Sequence, residues 1–189
     1  MRRNRRIAIV ALAIAGVAIV LVAWPRFQES NYEGIRIRGN KAFIQRVERS
    51  LRLLQDKSPD AFQLIQRFAP YIRQSSRSGM RAYDSPPTFD LSSKTADYSE
   101  SWCAGSIAHD AYHSKLYHKY LDAHGGPVPD AEWTGQAKER ECIEFHTRVL
   151  KDIGAPDFEI SYLSQLDGSH FDANGDGQET WADYWQRDW

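Results

Sequence analysis

The sequence predicts a mainly helical α+β domain held behind a single membrane span. Three observations predict it: an uncharged run from Ile7 to Trp24, helical periodicity through most of the chain beyond that run, and only two short stretches that read as extended. A chain of 189 residues with 42% apolar and 26% charged content is neither disordered nor a polytopic membrane protein. Arg2, Arg3, Arg5 and Arg6 belong to the leader, and without them 20 basic residues face 25 acidic ones, a net charge of −5. No basic stripe is left for phosphates, which excludes a nucleic-acid partner.

The Ile7 to Trp24 run is roughly 27 Å long as a helix, enough to cross the hydrocarbon core, and the arginines before it stay cytoplasmic. A cleaved signal peptide is the competing reading, but its apolar region is usually shorter, and Leu21-Val22-Ala23 is a poor cleavage sequence. The expected division is therefore a cytoplasmic Arg cluster and transmembrane anchor over residues 1–25, a folded domain over 26–168, and a polar, Trp-rich tail over 169–189. The protein is expected at the cell membrane as a single-pass protein, its C-terminal domain extracytoplasmic, where Cys103 and Cys142 can keep a disulfide.

Ile35 and Ile37 alternate with Arg36 and Arg38, so Tyr32 to Arg38 predicts a short strand, closed by Gly39-Asn40. Phe43, Val47, Leu51 and Leu54 recur at helical spacing, and Ser58-Pro59-Asp60 ends that helix and starts another. The second helix is expected to carry Phe62, Ile65, Ala69 and Ile72, bent or ended at Pro70, and to form an αα-hairpin with the first. From Ser75 to Glu100 the chain is rich in Ser, Pro and Asp, with Pro86-Pro87-Thr88-Phe89 its extended piece. Helix returns from Ser99 to Leu121 and breaks at Gly125-Gly126-Pro127. Asp130 is read as the cap of a helix running to Ile153, stopped by Gly154, and a short helix with Ile160, Leu163 and Leu166 ends at Asp167-Gly168.

His109 and His113 lie four residues apart, within about 40° of each other on a helix, so they can share one metal ion. Cys103, Ile107, Ala111 and Leu121 form one apolar face of that helix while Trp102, Leu116 and Tyr120 accompany the histidines on another, which predicts a helix covered on more than one side. On the next helix Glu139 falls within the face of Cys142, Ile143, Phe145, Val149, Leu150 and Ile153, with Glu141 at its edge. A carboxylate there must be paired, hydrogen-bonded or metal-bound. His146, seven residues after Glu139 on the same line, reads as a satisfied core histidine, the alternative being a group that backs a ligand or polarises a substrate. His118 points about 180° away from His109.

With His109-Asp110-x-x-His113 on one helix and Glu139-x-x-Cys142 on the next, the chain from about Tyr32 to Leu166 resembles the gluzincin class of zinc metallopeptidases, a variant of the HExxH pattern. The resemblance implies a zincin-like core with a small edge strand around Thr88 to Leu91. It also implies His109, His113 and Glu139 as zinc ligands and Asp110 as the base in the attack of a zinc-activated water on a peptide bond. Asp110 stands where the class has Glu, and Ile143 where related enzymes often carry an orienting Asp. The alternative is a catalytically inactive binding or scaffold protein stabilised by zinc and calcium. A Cys103–Cys142 disulfide is expected to staple the two ligand helices, the alternative being two small buried hydrophobes.

The tail carries a second metal signal. Asp172-Ala173-Asn174-Gly175-Asp176-Gly177 matches the first half of an EF-hand calcium loop, and counting to twelve places the Gln178 carbonyl, Thr180 and Asp183 at positions 7, 9 and 12. Asp at position 12 predicts a modest affinity. Peptide or protein substrates, the membrane, and Zn2+ and Ca2+ ions are thus the expected partners.

Overall fold

The computed structural model describes residues 27–168. The anchor expected over Ile7 to Trp24 and the calcium loop of Asp172, Asn174, Asp176, Gln178 and Asp183 lie outside them. Among the described residues no helix is long and apolar enough to cross a membrane.

The first strand signal resolves into a hairpin, β1 (Gln28–Tyr32) and β2 (Ile35–Gly39), antiparallel and in register from Gln28 opposite Gly39 to Tyr32 opposite Ile35. Glu33 (φ 48°) and Gly34 (φ 90°) turn the chain with positive φ at both central positions, the turn that suits the twist of a two-residue hairpin. In β2 the predicted alternation holds: Ile35, Ile37 and Gly39 are buried, Arg36 and Arg38 exposed. Asn40 then caps α1 (Lys41–Lys57) by accepting the Phe43 N–H at 2.9 Å. Pro59 opens α2 (Pro59–Phe68), where its missing N–H costs nothing.

The expected second helix is shorter than its periodicity suggested. It stops at Phe68, and Ile72 belongs to a strand, β3 (Tyr71–Ser75), parallel to β2. Pro70 is the cause, since its ring drives the preceding residue out of the helical region, and Ala69 sits at φ −140°. The segment read as largely irregular holds β4 (Gly79–Arg81), β5 (Thr88–Ser92) and α3 (Ser93–Tyr98). The five strands form one mixed sheet in the order β1-β2-β3-β5-β4. Thr88 to Leu91 is therefore an interior strand rather than the expected edge; the edge on that side is β4, antiparallel to β5.

One face of the sheet (Ile35, Ile37, Ile72, Phe89, Leu91) shares a core with Val47, Leu51 and Leu54 of α1 and with Phe62 and Ile65 of α2. The long helix α4 (Glu100–His124), capped by Ser99, runs through this core, and every residue from Cys103 to His109 is buried. It is covered on several sides, as its mixed pattern predicts. Gly125 (φ 65°) ends it. Asp130 does not cap the following helix. Its carbonyl instead closes a single 3-10 turn (Asp130–Glu132), and α5 (Gln136–Asp152) starts after Gly135. A short α6 (Asp157–Leu163) comes after Gly154 and Pro156. The outcome is a mixed α/β domain with more sheet than expected.

Candidate metal centre

Two helices build the site. His109 and His113 leave α4 one turn apart, and Glu139 reaches them from the first turn of α5. His109 Nε2 lies 3.0 Å from Glu139 Oε1, His113 Nε2 lies 3.0 Å from Oε2, and the two Nε2 atoms are 3.1 Å apart. Glu139 is 2% exposed, His113 5% and His109 7%. Among the described residues this is the one group of three or more His, Cys, Asp or Glu whose ligand atoms lie mutually within 4.8 Å.

The backbone of the connecting segment fixes the protonation of His113. Its Nδ1 faces the Trp133 carbonyl, which can only accept, so Nδ1 carries a proton and donates it. In the neutral ring the lone pair is then on Nε2, facing a carboxylate oxygen at 3.0 Å. Two acceptors cannot meet at that distance without a cation between them, either a proton or a metal ion. Burial alone lowers the basicity of His113, but Cys142 and Glu139 outweigh it, and the ring's pKa stands well above the ordinary imidazole value. Without metal, a proton is the cation. Metal binding must displace it.

A metal ion fits the same donors. Zinc–ligand bonds of about 2.0–2.2 Å at tetrahedral angles put donor atoms roughly 3.4 Å apart, and the separations of 3.0 and 3.1 Å are a few tenths short of that. Two imidazoles and one carboxylate make three ligands, and the buried group could hold a metal ion. Asp110, the next residue on α4, is half-buried.

The expected disulfide is absent. Cys103 and Cys142 are both free, buried thiols. Gly105 meets His146 while His113 meets Glu139 and interacts with Cys142, so α4 and α5 run antiparallel and Cys142 lies level with His113. Cys103 is ten residues earlier, about 15 Å along the axis, and its thiol interacts with Ser50 of α1. That separation is far beyond what a disulfide spans. Cys103 is a small buried thiol that desolvation pushes up to about 12, whereas Cys142 is buried against His113.

Three contributors escaped the sequence reading. The Trp133 carbonyl comes from an irregular segment and has no signature in composition. Gly105 does have one, a lone glycine inside a helix, which costs about 0.5–1 kcal/mol relative to alanine and so indicates a close approach. A Cβ at position 105 would stand 2.1 Å from His146 Nε2 and 2.8 Å from Leu150 Cδ2. The third is β4: Ala82, just beyond it, packs with Leu116, Trp133 and Cys142 at the side of the site.

His146 is not the satisfied core histidine of one reading. It is 3% exposed, its Nε2 has no hydrogen-bond partner, and its ring lies 5.5 Å from that of His109 and 5.3 Å from that of Trp102. Burial, and the neighbouring His109 after it, push its pKa well below the ordinary value, so the ring is neutral. His118 faces Phe68 and Tyr117, away from the site as its helical angle requires. His124 is exposed and stacks on Tyr120. No protein-family model matches the chain, and no curated protein or solved structure matches it.

Proposed function

We propose that the chain is a membrane-anchored, extracytoplasmic zinc metallopeptidase-like protein of the gluzincin kind. The convergence of His109, His113 and Glu139 onto one buried point carries this reading. A bound zinc ion supplies Lewis acidity, lowering the pKa of water and polarising a carbonyl. The rest falls to the chain's own groups. His109, His113 and Glu139 hold the ion, and the Trp133 carbonyl keeps the His113 lone pair turned toward it. Asp110 is the base that accepts a proton from water. The outer strand β4 offers backbone hydrogen bonds beside the site, where an extended peptide can add as a further strand. The N-terminal apolar run tethers the domain to the membrane, and the Asp172 to Asp183 segment takes calcium.

A second reading, an inactive scaffold stabilised by zinc and calcium, draws on the near-complete burial of the triad and on Asp110, one methylene shorter than the Glu of the class. Metal analysis and a broad peptide library separate the two. The peptidase reading expects one zinc per chain, chelator-sensitive cleavage, loss of turnover in Asp110→Asn with zinc retained, and turnover kept or raised in Asp110→Glu. Zinc retained by all three proteins with turnover in none leaves the scaffold. Absence of zinc from the wild-type chain removes both.

A further inference from the structure

We infer that His146 is a positioning residue for the metal centre, its Nε2 accepting the Nδ1–H of His109, directly or through one water, when His109 turns its own Nε2 to an ion. The inference rests on the proposed metal site and extends it to a residue that supplies no ligand atom.

The two ligand histidines differ in their support. His113 has the Trp133 carbonyl behind it; His109 Nδ1 is buried and has no hydrogen-bond partner. A histidine bound to a metal through Nε2 carries its proton on Nδ1, and a buried N–H without an acceptor is costly, so His109 needs an acceptor behind it. The neighbouring His146 ring brings a nitrogen in the complementary condition: Nε2, buried and without a partner. Two unpartnered nitrogens on adjacent rings answer each other's need.

The fold also makes room for this ring. His146 fits only because position 105, one turn before His109 on α4, has no side chain, since a Cβ there would overlap both Nε2 and Cδ2 of His146, at 2.1 and 2.4 Å. Trp102 lies against the ring from another direction, with Tyr98 and Tyr162 packed on Trp102 in turn. A glycine inside a helix and an aromatic backing together hold an unpartnered imidazole beside a ligand. An apolar side chain of similar size would fill the same space without burying a polar atom.

The test measures zinc affinity of the purified full chain by competition with a chromophoric chelator, alongside thermal unfolding of the metal-free protein. His146→Leu is expected to weaken zinc by 10- to 100-fold without lowering the metal-free Tm. His146→Gln, whose amide oxygen can accept, should recover most of the affinity. Gly105→Ala, which displaces the ring without altering it, should weaken zinc in the wild-type background. An affinity in His146→Leu within about threefold of wild type overturns the inference, as does a Gln variant no better than Leu. Zinc uptake abolished by His109→Ala but untouched by His146→Leu defeats this inference alone, whereas no uptake by the wild-type chain defeats the metal site on which it rests.

Discussion

Replacing Glu139 with Gln separates a metal centre from a hydrogen-bonded cluster more cleanly than any other single change. The amide is nearly isosteric with a side chain that is 2% exposed, so packing is kept while the charge facing His109 Nε2 and His113 Nε2, each at 3.0 Å, is removed. Buried hydrogen bonds to a charged group contribute about 1.5–3 kcal/mol. The metal-free variant should thus lose roughly that much, a fall in Tm of about 3–12 °C for a chain of this size. The response to metal should differ more. Zinc at a hundred times its Kd adds about 2.7 kcal/mol to a native state that binds it, or roughly 5–11 °C in the wild-type chain. Glu139→Gln should shift by no more than about 2 °C at the same concentration, on the same reasoning, because a neutral amide is a poor ligand for a hard dication. Differential scanning fluorimetry with zinc, and again with chelator, reads both numbers. Equal zinc shifts in wild type and variant would refute the assignment, since the ion would then be stabilising the chain from somewhere else.

Two groups give the metal-free protein opposite pH dependences. The raised pKa of His113 contributes stability that is complete below the ordinary imidazole value of 6.5 and is lost as pH climbs through the higher folded value, so His113→Gln should flatten the alkaline side of a stability–pH curve from urea titrations. The depressed pKa of His146 costs stability as pH falls below 6.5, and His146→Leu should flatten the acid side. Cys103 and Cys142 should resist alkylation in the native chain and yield two thiols per chain in denaturant without reductant. A native protein that releases none on unfolding would restore the disulfide. Glu159 is buried and accepts the hydroxyls of Ser99 and Ser101 at 2.6 and 2.7 Å beside the start of α4. Glu159→Gln should cost about 1–3 kcal/mol in chemical denaturation while leaving zinc affinity unchanged, and a change in affinity would show that this end of α4 is coupled to the site.

How much of the fold was legible in the sequence depends on how locally each feature is encoded. Pro59 and Gly154 act on residues one to four positions away and do in the structure what their chemistry predicts, while Asn40 and Ser99, expected as a strand end and a helix start, prove to be helix caps. The pairing of β2 with β3 and of β3 with β5 is not local. β3 carries one buried isoleucine among half-buried neighbours, and its hydrophobic signal merges with the helix before it. Only the backbone effect of Pro70 could have divided them, and a proline inside a helical pattern is compatible with a bend as well as a stop. The disulfide expectation failed for a related reason. Both cysteines lie on the expected helices, but the direction in which α5 returns along α4 is not written in either helix, and it carries Cys142 away from Cys103.

The same antiparallel register explains why the triad was legible and its supports were not. His109 and His113 are adjacent by helical geometry, and Glu139 is conspicuous as a carboxylate in an apolar stripe, so each announces itself from its own helix. The Trp133 carbonyl and the His146 ring become meaningful only when α5 is laid against α4 with Glu139 beside His113, because this brings His146 level with Gly105 and His109. Shifting α5 by one turn, about 5.4 Å, would move His146 off the glycine and Glu139 off His113 together. Triad and His146 therefore depend on a single packing register, and at Gly105 that register leaves no room for a methyl group beside the His146 ring. Gly105→Ala should accordingly disturb the site from one turn away, even though residue 105 has no side chain with which to touch an ion.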